Sequence, residues 1–200
     1  MGFERLKKDV LSGLRELPNQ YRYHNIIHTL EVMENAVRLG AEAGLNEHEQ
    51  LLLNTAALMH DYGYLECYHD HEGKGAAAAE KLLPQYGYAA EDIKIIVGMI
   101  RATVPPGHPA NRLECLICDA DLGYLGSNRF AYRSCDLRQE LIVVNKSLTD
   151  CEWYRLECDF LSRFEFKTPE GRKLFGKGLA ENLEKVRKLL ETCNDKKDKK

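Results

Sequence analysis

Apolar residues recur along the chain at the three- and four-residue spacing of amphipathic helices, and no stretch alternates in the manner of a strand. Phe3, Leu6, Val10 and Leu14 line one face of a first helix over about 3–16, which ends before Pro18. Ile26, Leu30, Met33 and Val37 form the stripe of a second over about 25–43, closed near Gly44. A third, about 47–60, carries LLLNTAALMH and is apolar almost all round, the pattern of a helix at the centre of a bundle. EGKGAAAAEKLL predicts a fourth, stopped by Pro84, whose four alanines let another helix approach closely. A fifth covers about 91–102 and is broken by TVPPGHP, and a sixth, about 110–124, opens after Pro109. Further helices are expected near 128–145 and 149–165. The last starts at the N-cap and N1 pair Thr168 and Pro169 and reaches about 192. This predicts an all-α, single-domain helical bundle of about nine helices over 1–192, with a charged, disordered tail at 193–200.

Composition narrows the function classes. The 200 residues are 44% hydrophobic and 30% charged, which excludes a disordered chain. With 31 acidic against 28 basic residues the net charge is -3, so there is no general basic field and no nucleic-acid polymer is expected as partner; KKDKK at the end reads as a solvated tail. No apolar run approaches the ~18–20 residues of a membrane span, and MGFERLKKDVLSGL lacks the apolar core of a signal peptide. A cytoplasmic protein without membrane attachment is the expectation. The 7 cysteines are odd in number and scattered, so most are expected reduced and buried. Cys115 and Cys118 form a CxxC, but no second pair accompanies it and the segment reads as helix, against a metal or redox role.

Four residues are costly where they lie. His60 and Asp61 end the most apolar helix, where a carboxylate needs strong compensation. His28 sits one residue from the stripe of the second helix. Asp121 continues Leu113 and Ile117 at steps of four, whereas Asp119 falls on the side of Arg112 and Cys115. At ~100° per residue the two carboxylates point ~200° apart, so one of them faces the interior, and the stripe selects Asp121. Two imidazoles and two carboxylates from separate helices make a mixed nitrogen and oxygen set for one divalent transition metal, with positions left for water.

The order His28, His60-Asp61, Asp121 resembles the HD-domain superfamily of metal-dependent phosphohydrolases. YHNIIHTLEV is similar to that family's tyrosine-His-Asn-x-x-His opening, LMHDYGY to its signature dipeptide, and HEGKGAAAAEKLLPQYGY to the segment that follows. IRATVPP and ECLICDADLGYLG resemble two later blocks of stand-alone or signalling-linked members. Gly75 stands where that subgroup usually has serine, and Gly123 where it often has an acidic residue, departures that bear on substrate contacts.

The resemblance implies a divalent ion (Mn, Fe, Co, Mg, Ni or Zn) held by His28, His60, Asp61 and Asp121, one ion rather than two. It implies hydrolysis of a nucleotide, cyclic nucleotide or other small phosphate ester by a water the metal activates, with Asp61 orienting that water or taking its proton. Glu72, opening the fourth helix, is a further catalytic candidate, and neighbouring His71 a second-metal candidate because two-metal relatives use an extra histidine in this region. His24, four residues before His28, shares its face if the helix has begun there, and faces the pocket mouth or a supporting carboxylate. Lys74 and Arg101 are the cations placed to meet a phosphate, with Thr103 a pocket candidate beside them. His69, Asp70 and His108 read as loop residues. Two other readings stay open. One is a non-enzymatic sensing or docking module that keeps its metal for structure. The other is a di-iron HD-type oxygenase, which needs more histidines than His71 and His108 supply.

Overall fold

The computed structural model describes residues 2–104, 108–143 and 147–197. Among these there are nine α-helices and no strand: α1 Gly2–Leu14, α2 Ile26–Ala43, α3 Glu47–Met59, α4 His71–Leu82, α5 Ala90–Ala102, α6 Arg112–Asp121, α7 Phe130–Val143, α8 Asp150–Arg163 and α9 Pro169–Lys197. Three short 3-10 turns follow α3, α4 and α6. Part of the TVPPGHP loop, the segment 144–146 and the last residues of the charged tail lie outside the described residues.

The starts of several helices are written locally. The Asn46 side chain accepts from Glu49 N, and the Glu49 carboxylate accepts from Asn46 N; Thr149 and Glu152 repeat the device on α8. Each closes orphan amide donors worth about 1 kcal/mol. Gly44 ends α2 at φ 66°, a left-handed turn that a side chain resists.

α3 is the axis of the bundle. Its Leu52, Leu53, Ala56, Ala57, Leu58 and Met59 are buried, and α2, α5 and α6 pack around it. A second, smaller core joins Tyr124, Leu125 and Phe130 to Leu161 of α8 and Val186 of α9.

Three expectations need correction. Of the expected stripe on α2, Met33 is buried and Ile26 packs on the core, but Leu30 and Val37 lie in water, and His28, Val32, Ala36 and Leu39 fill the buried face. Both faces carry apolar residues, and the one holding His28 wins because it meets α3 and α6. The tail is helical as far as Lys197, because Cys193 is disulfide-bonded to Cys151 and ties α9 to α8. The cysteines are also less buried than expected: Cys118 and Cys151 are, but Cys135 is exposed and Cys67, Cys115 and Cys158 are half-buried. Cys115 and Cys118 are free thiols on α6, and burial pushes Cys118 up to about 12. Among the described residues no helix is long and apolar enough to cross a membrane.

Candidate metal centre

Three helix ends converge on one point. Asn25 caps α2, its side-chain oxygen accepting from Ile27 N at 2.9 Å and His28 N at 3.4 Å, which sets His28 in the first turn. His60 and Asp61 follow α3 directly, and Asp61 turns the chain at φ -100°, ψ 6°, the sparsely used region where site residues often sit. Asp121 ends α6, whose last carbonyls are held to α2 by Asn35, donating to Ala120 O at 2.9 Å.

The donor atoms crowd together. His28 Nε2 lies 3.0 Å from Asp121 Oδ1, 3.3 Å from His60 Nε2 and 3.6 Å from Asp61 Oδ2. His60 Nε2 is 3.2 Å from Asp61 Oδ2 and 3.6 Å from Asp121 Oδ1. Two donors each ~2.1 Å from one ion stand about 3.0 Å apart at a right angle and about 3.4 Å apart at a tetrahedral one. For His28, His60 and Asp121 the spacing is that of a shared coordination sphere, and Asp61 stands beside both imidazoles. His60 Nδ1 donates to Ala57 O at 2.9 Å, which leaves its Nε2 lone pair for the centre. Asp61 Oδ2 is buried with no hydrogen-bond partner, a cost a native carboxylate bears only if something positive meets it. Burial opposes a charged His60, yet the carboxylates of Asp61 and Asp121 outweigh it and raise the imidazole to about 9. Burial likewise works to raise the Asp61 carboxyl, but His60, His24 and His28 hold it well below the usual carboxylate range. The field at this point favours positive charge, which a protonated His60 or a bound cation would supply, and the donor set fits a divalent ion.

Asp119 is not left facing water as the helix-face argument implied. It is buried on the far side of α6, where it accepts from Lys167 N, Thr168 N and Thr168 Oγ1 at 2.7, 2.8 and 2.6 Å and fixes the start of α9. Both sides of α6 are interior, because α9 covers the second.

His71 and Glu72 are brought in by a close approach. Gly63, in the 3-10 turn after Asp61, lies so near α4 that a Cβ there would stand 1.9 Å from His71 O and 2.7 Å from Gly75 N. His71 Nε2 comes 3.7 Å from Asp61 Oδ1 and 3.2 Å from Glu72 Oε1, while His71 Nδ1 donates to Tyr68 O at 3.2 Å. Burial lowers the His71 imidazole, against the pull of Asp61 and Glu72. Tyr64 stacks between His71, at 3.9 Å, and His24, at 4.5 Å. His24 precedes α2 and does not share its face; its Nδ1 meets Glu140 Oε1 of α7 at 2.5 Å. Glu140 Oε2 also accepts from the backbone of Tyr23 and His24, at 2.8 and 3.0 Å. Sequence reasoning missed Glu140. Its signal was a carboxylate between Leu137 and Leu141 on the apolar side of α7.

A cavity of about 540 Å³ opens from this centre, within the usual range of small-molecule sites. Asp61, Asp121, His24, His71, Glu72 and Thr103 line it, as do His69 and Asp70, which the sequence assigned to a plain loop. Lys74 and Arg101 do not. Lys74 reaches Glu66 at 3.4 Å and Arg101 reaches Glu80 at 3.8 Å, both on the outer surface. His108 is exposed and outside the cavity, so one of the two extra histidines of the oxygenase reading is missing from the site. Gly75 packs on the carbonyls of Met59 and His60, and Gly123 on Asn35 and Phe175, so neither departure lines the cavity. An adjoining cavity of about 410 Å³ shares Thr103, Asp121, Leu122 and Phe160 and contains Arg163 and Lys167, two cations the sequence did not single out.

Residues 25–122 match the model of the HD domain family, a span that opens at the cap of His28 and closes one residue past Asp121. The chain therefore carries an HD domain, a class that binds divalent metals. The fold is similar to the crystal structure of a predicted HD superfamily hydrolase from an uncultured Thermotogales bacterium. The TM-score is 0.63 at 22% identity, over 92% of this chain and 91% of that one. No curated protein matches the chain.

Proposed function

We propose that this protein is a metal-dependent phosphohydrolase acting on a small phosphate ester, with one divalent ion held by His28, His60, Asp61 and Asp121. The observation that carries the reading is Asp61. One oxygen is buried and partnerless between two imidazoles, while the other faces His71 and the cavity. A bound divalent ion supplies Lewis acidity, acidifying a water and polarising a phosphoryl oxygen. The chain does the rest. Asp61 is placed to orient the attacking water and take its proton. His71, kept neutral by burial and fixed by Tyr68 O, offers a lone pair at Nε2 for that proton to pass on. The water oxygen bonds phosphorus, the ester P–O bond breaks, and the departing alcohol oxygen takes up a proton. Tyr64 stacks on the His71 ring, and Glu72 Oε1, 3.2 Å from Nε2, steadies the imidazolium once that proton has arrived. Arg163 and Lys167, which line the adjoining cavity together with Asp119, Asp159 and Glu165, take the place of Lys74 and Arg101 as the cations to meet the phosphoryl oxygens.

The test is metal analysis of the purified protein followed by a phosphate-release screen over small esters with Mn, Mg, Co and Fe. Asp61→Asn is expected to lose bound metal and at least a hundredfold in turnover. A metal-loaded protein that releases phosphate from no ester would overturn the reading.

A further inference from the structure

The cavity does not stop at the metal centre. It runs on between α7 and α8, where Leu125, Phe130, Leu137, Leu141, Leu156 and Phe160 form its walls. Among the described residues no lysine or arginine lines any part of it. The polar groups of this arm are spent on one another: Trp153 Nε1 donates to Ser134 Oγ at 3.1 Å, and Ser134 Oγ donates to Glu157. Burial pushes the Glu157 carboxyl up to about 7, so its neutral form persists far above the ordinary range. At the rim Leu156 and Phe160 are 52% and 49% exposed, apolar surface left in water beside an open apolar chamber. Tyr23, Tyr64, Tyr68, Tyr124, His69, Asp70 and Thr103 also line the cavity. Along the leucine and phenylalanine walls, however, the only polar groups among the described residues are the paired Ser134, Trp153 and Glu157, so a nucleoside's ribose hydroxyls and base edges placed there would be left unpaired at a cost in binding.

We infer that this arm receives the organic part of the substrate, and that this part is apolar: the protein takes a phosphate ester of an alkyl or aryl alcohol rather than a nucleotide. The inference rests on the phosphohydrolase reading above and adds the substrate class. With one phosphoryl group at the centre, the cation it needs is the bound ion, helped by Arg163 and Lys167 of the adjoining cavity. The remainder of the molecule then covers Leu156 and Phe160. Leu137 and Leu141 from α7 and Leu156 and Phe160 from α8 are the specificity-determining residues.

The test has two arms. With the Mn-loaded full chain, kcat/KM is measured for methyl, butyl and hexyl phosphate and for nucleoside 5′-monophosphates. It is expected to rise about fourfold per methylene along the alkyl series, and hexyl phosphate to exceed every nucleotide. Leu156→Ser, at an exposed position, and Leu141→Ser should both flatten that slope. The second arm needs no turnover. Trp153 is the single tryptophan of the chain and lines the chamber, so hexylphosphonate should shift its emission saturably, and more weakly in Leu156→Ser. A flat alkyl series with nucleotides preferred would overturn the inference and leave the phosphohydrolase standing. Absence of a saturable Trp153 shift would overturn it as well. Cleavage of no ester, with the Trp153 shift intact, would sink the phosphohydrolase reading and keep the apolar chamber as a ligand site.

Discussion

Gly63→Ala tests how the second half of the site is delivered. The added Cβ would stand 1.9 Å from His71 O, and that contact is backbone, so no side chain can swing aside. Relief to even a tight 3.0 Å contact requires the 3-10 turn and the start of α4 to part by about 3.0 − 1.9 = 1.1 Å. His71 and Glu72 open α4, whereas His28 and Asp121 sit on α2 and α6. The opening therefore moves His71 and Glu72 away from Asp61 while His28, His60 and Asp121 stay in place. A displacement of ~1 Å at a reacting group costs about a hundredfold in rate. Overpacking of this kind also costs about 1–3 kcal/mol of stability. The expected outcome is a folded protein with near-normal bound metal, a kcat reduced about a hundredfold, and a lower Tm. Metal analysis, phosphate release and thermal melting on one preparation read all three. Gly176→Ala is the control: nothing lies within 4 Å of its Cβ, so activity should hold and Tm rise slightly. Unchanged turnover in Gly63→Ala, or turnover lost in step with metal, would refute the delivery of His71 and Glu72 by this contact.

Three more predictions follow from the structure. Glu157 is neutral in the fold up to about 7 but ionises near 4.5 when unfolded. Across that window the folded chain holds the extra proton, so its contribution to stability falls as pH rises; Glu157→Gln should remove that slope in urea melts at stepped pH, and an unchanged slope would exclude Glu157 as its source. Reducing the Cys151–Cys193 bridge, which closes a separation of 42 residues, removes up to about 4 kcal/mol on the chain-entropy estimate. The expected Tm drop with reductant should vanish in Cys151→Ser/Cys193→Ser, and equal melts with and without reductant in the parent chain would count against the bridge. Arg163→Ala/Lys167→Ala should raise KM for a phosphate ester about tenfold or more, whereas Lys74→Ala/Arg101→Ala changes it little; the reverse ranking in steady-state kinetics would return the phosphate to the outer surface.

Much of this molecule is local, and local structure is legible in a sequence. Nine helices can be read from apolar spacing, because the 3.6-residue repeat of a helix needs only neighbours three and four places away. Caps at Asn46 and Thr149 are written within four residues. His60-Asp61 stood out because a charge at the end of the most apolar segment needs a reason, and folding brings that pair against His28 and Asp121. What the tertiary structure alone decided concerns which partner each face meets. α2 has two apolar faces, and only its packing on α3 and α6 chooses the one with His28. Asp119 reads as an outer residue until α9, some fifty places on, lays its first amides across it. Glu140 reaches His24 across a separation of 116 residues, and Arg163 and Lys167 share a cavity with Thr103 and Asp121. Lys74 and Arg101 sit close to site residues along the chain but point outward to Glu66 and Glu80. Periodicity marks that a face is apolar or a group is out of place; the element that covers that face is chosen by packing the whole chain at once.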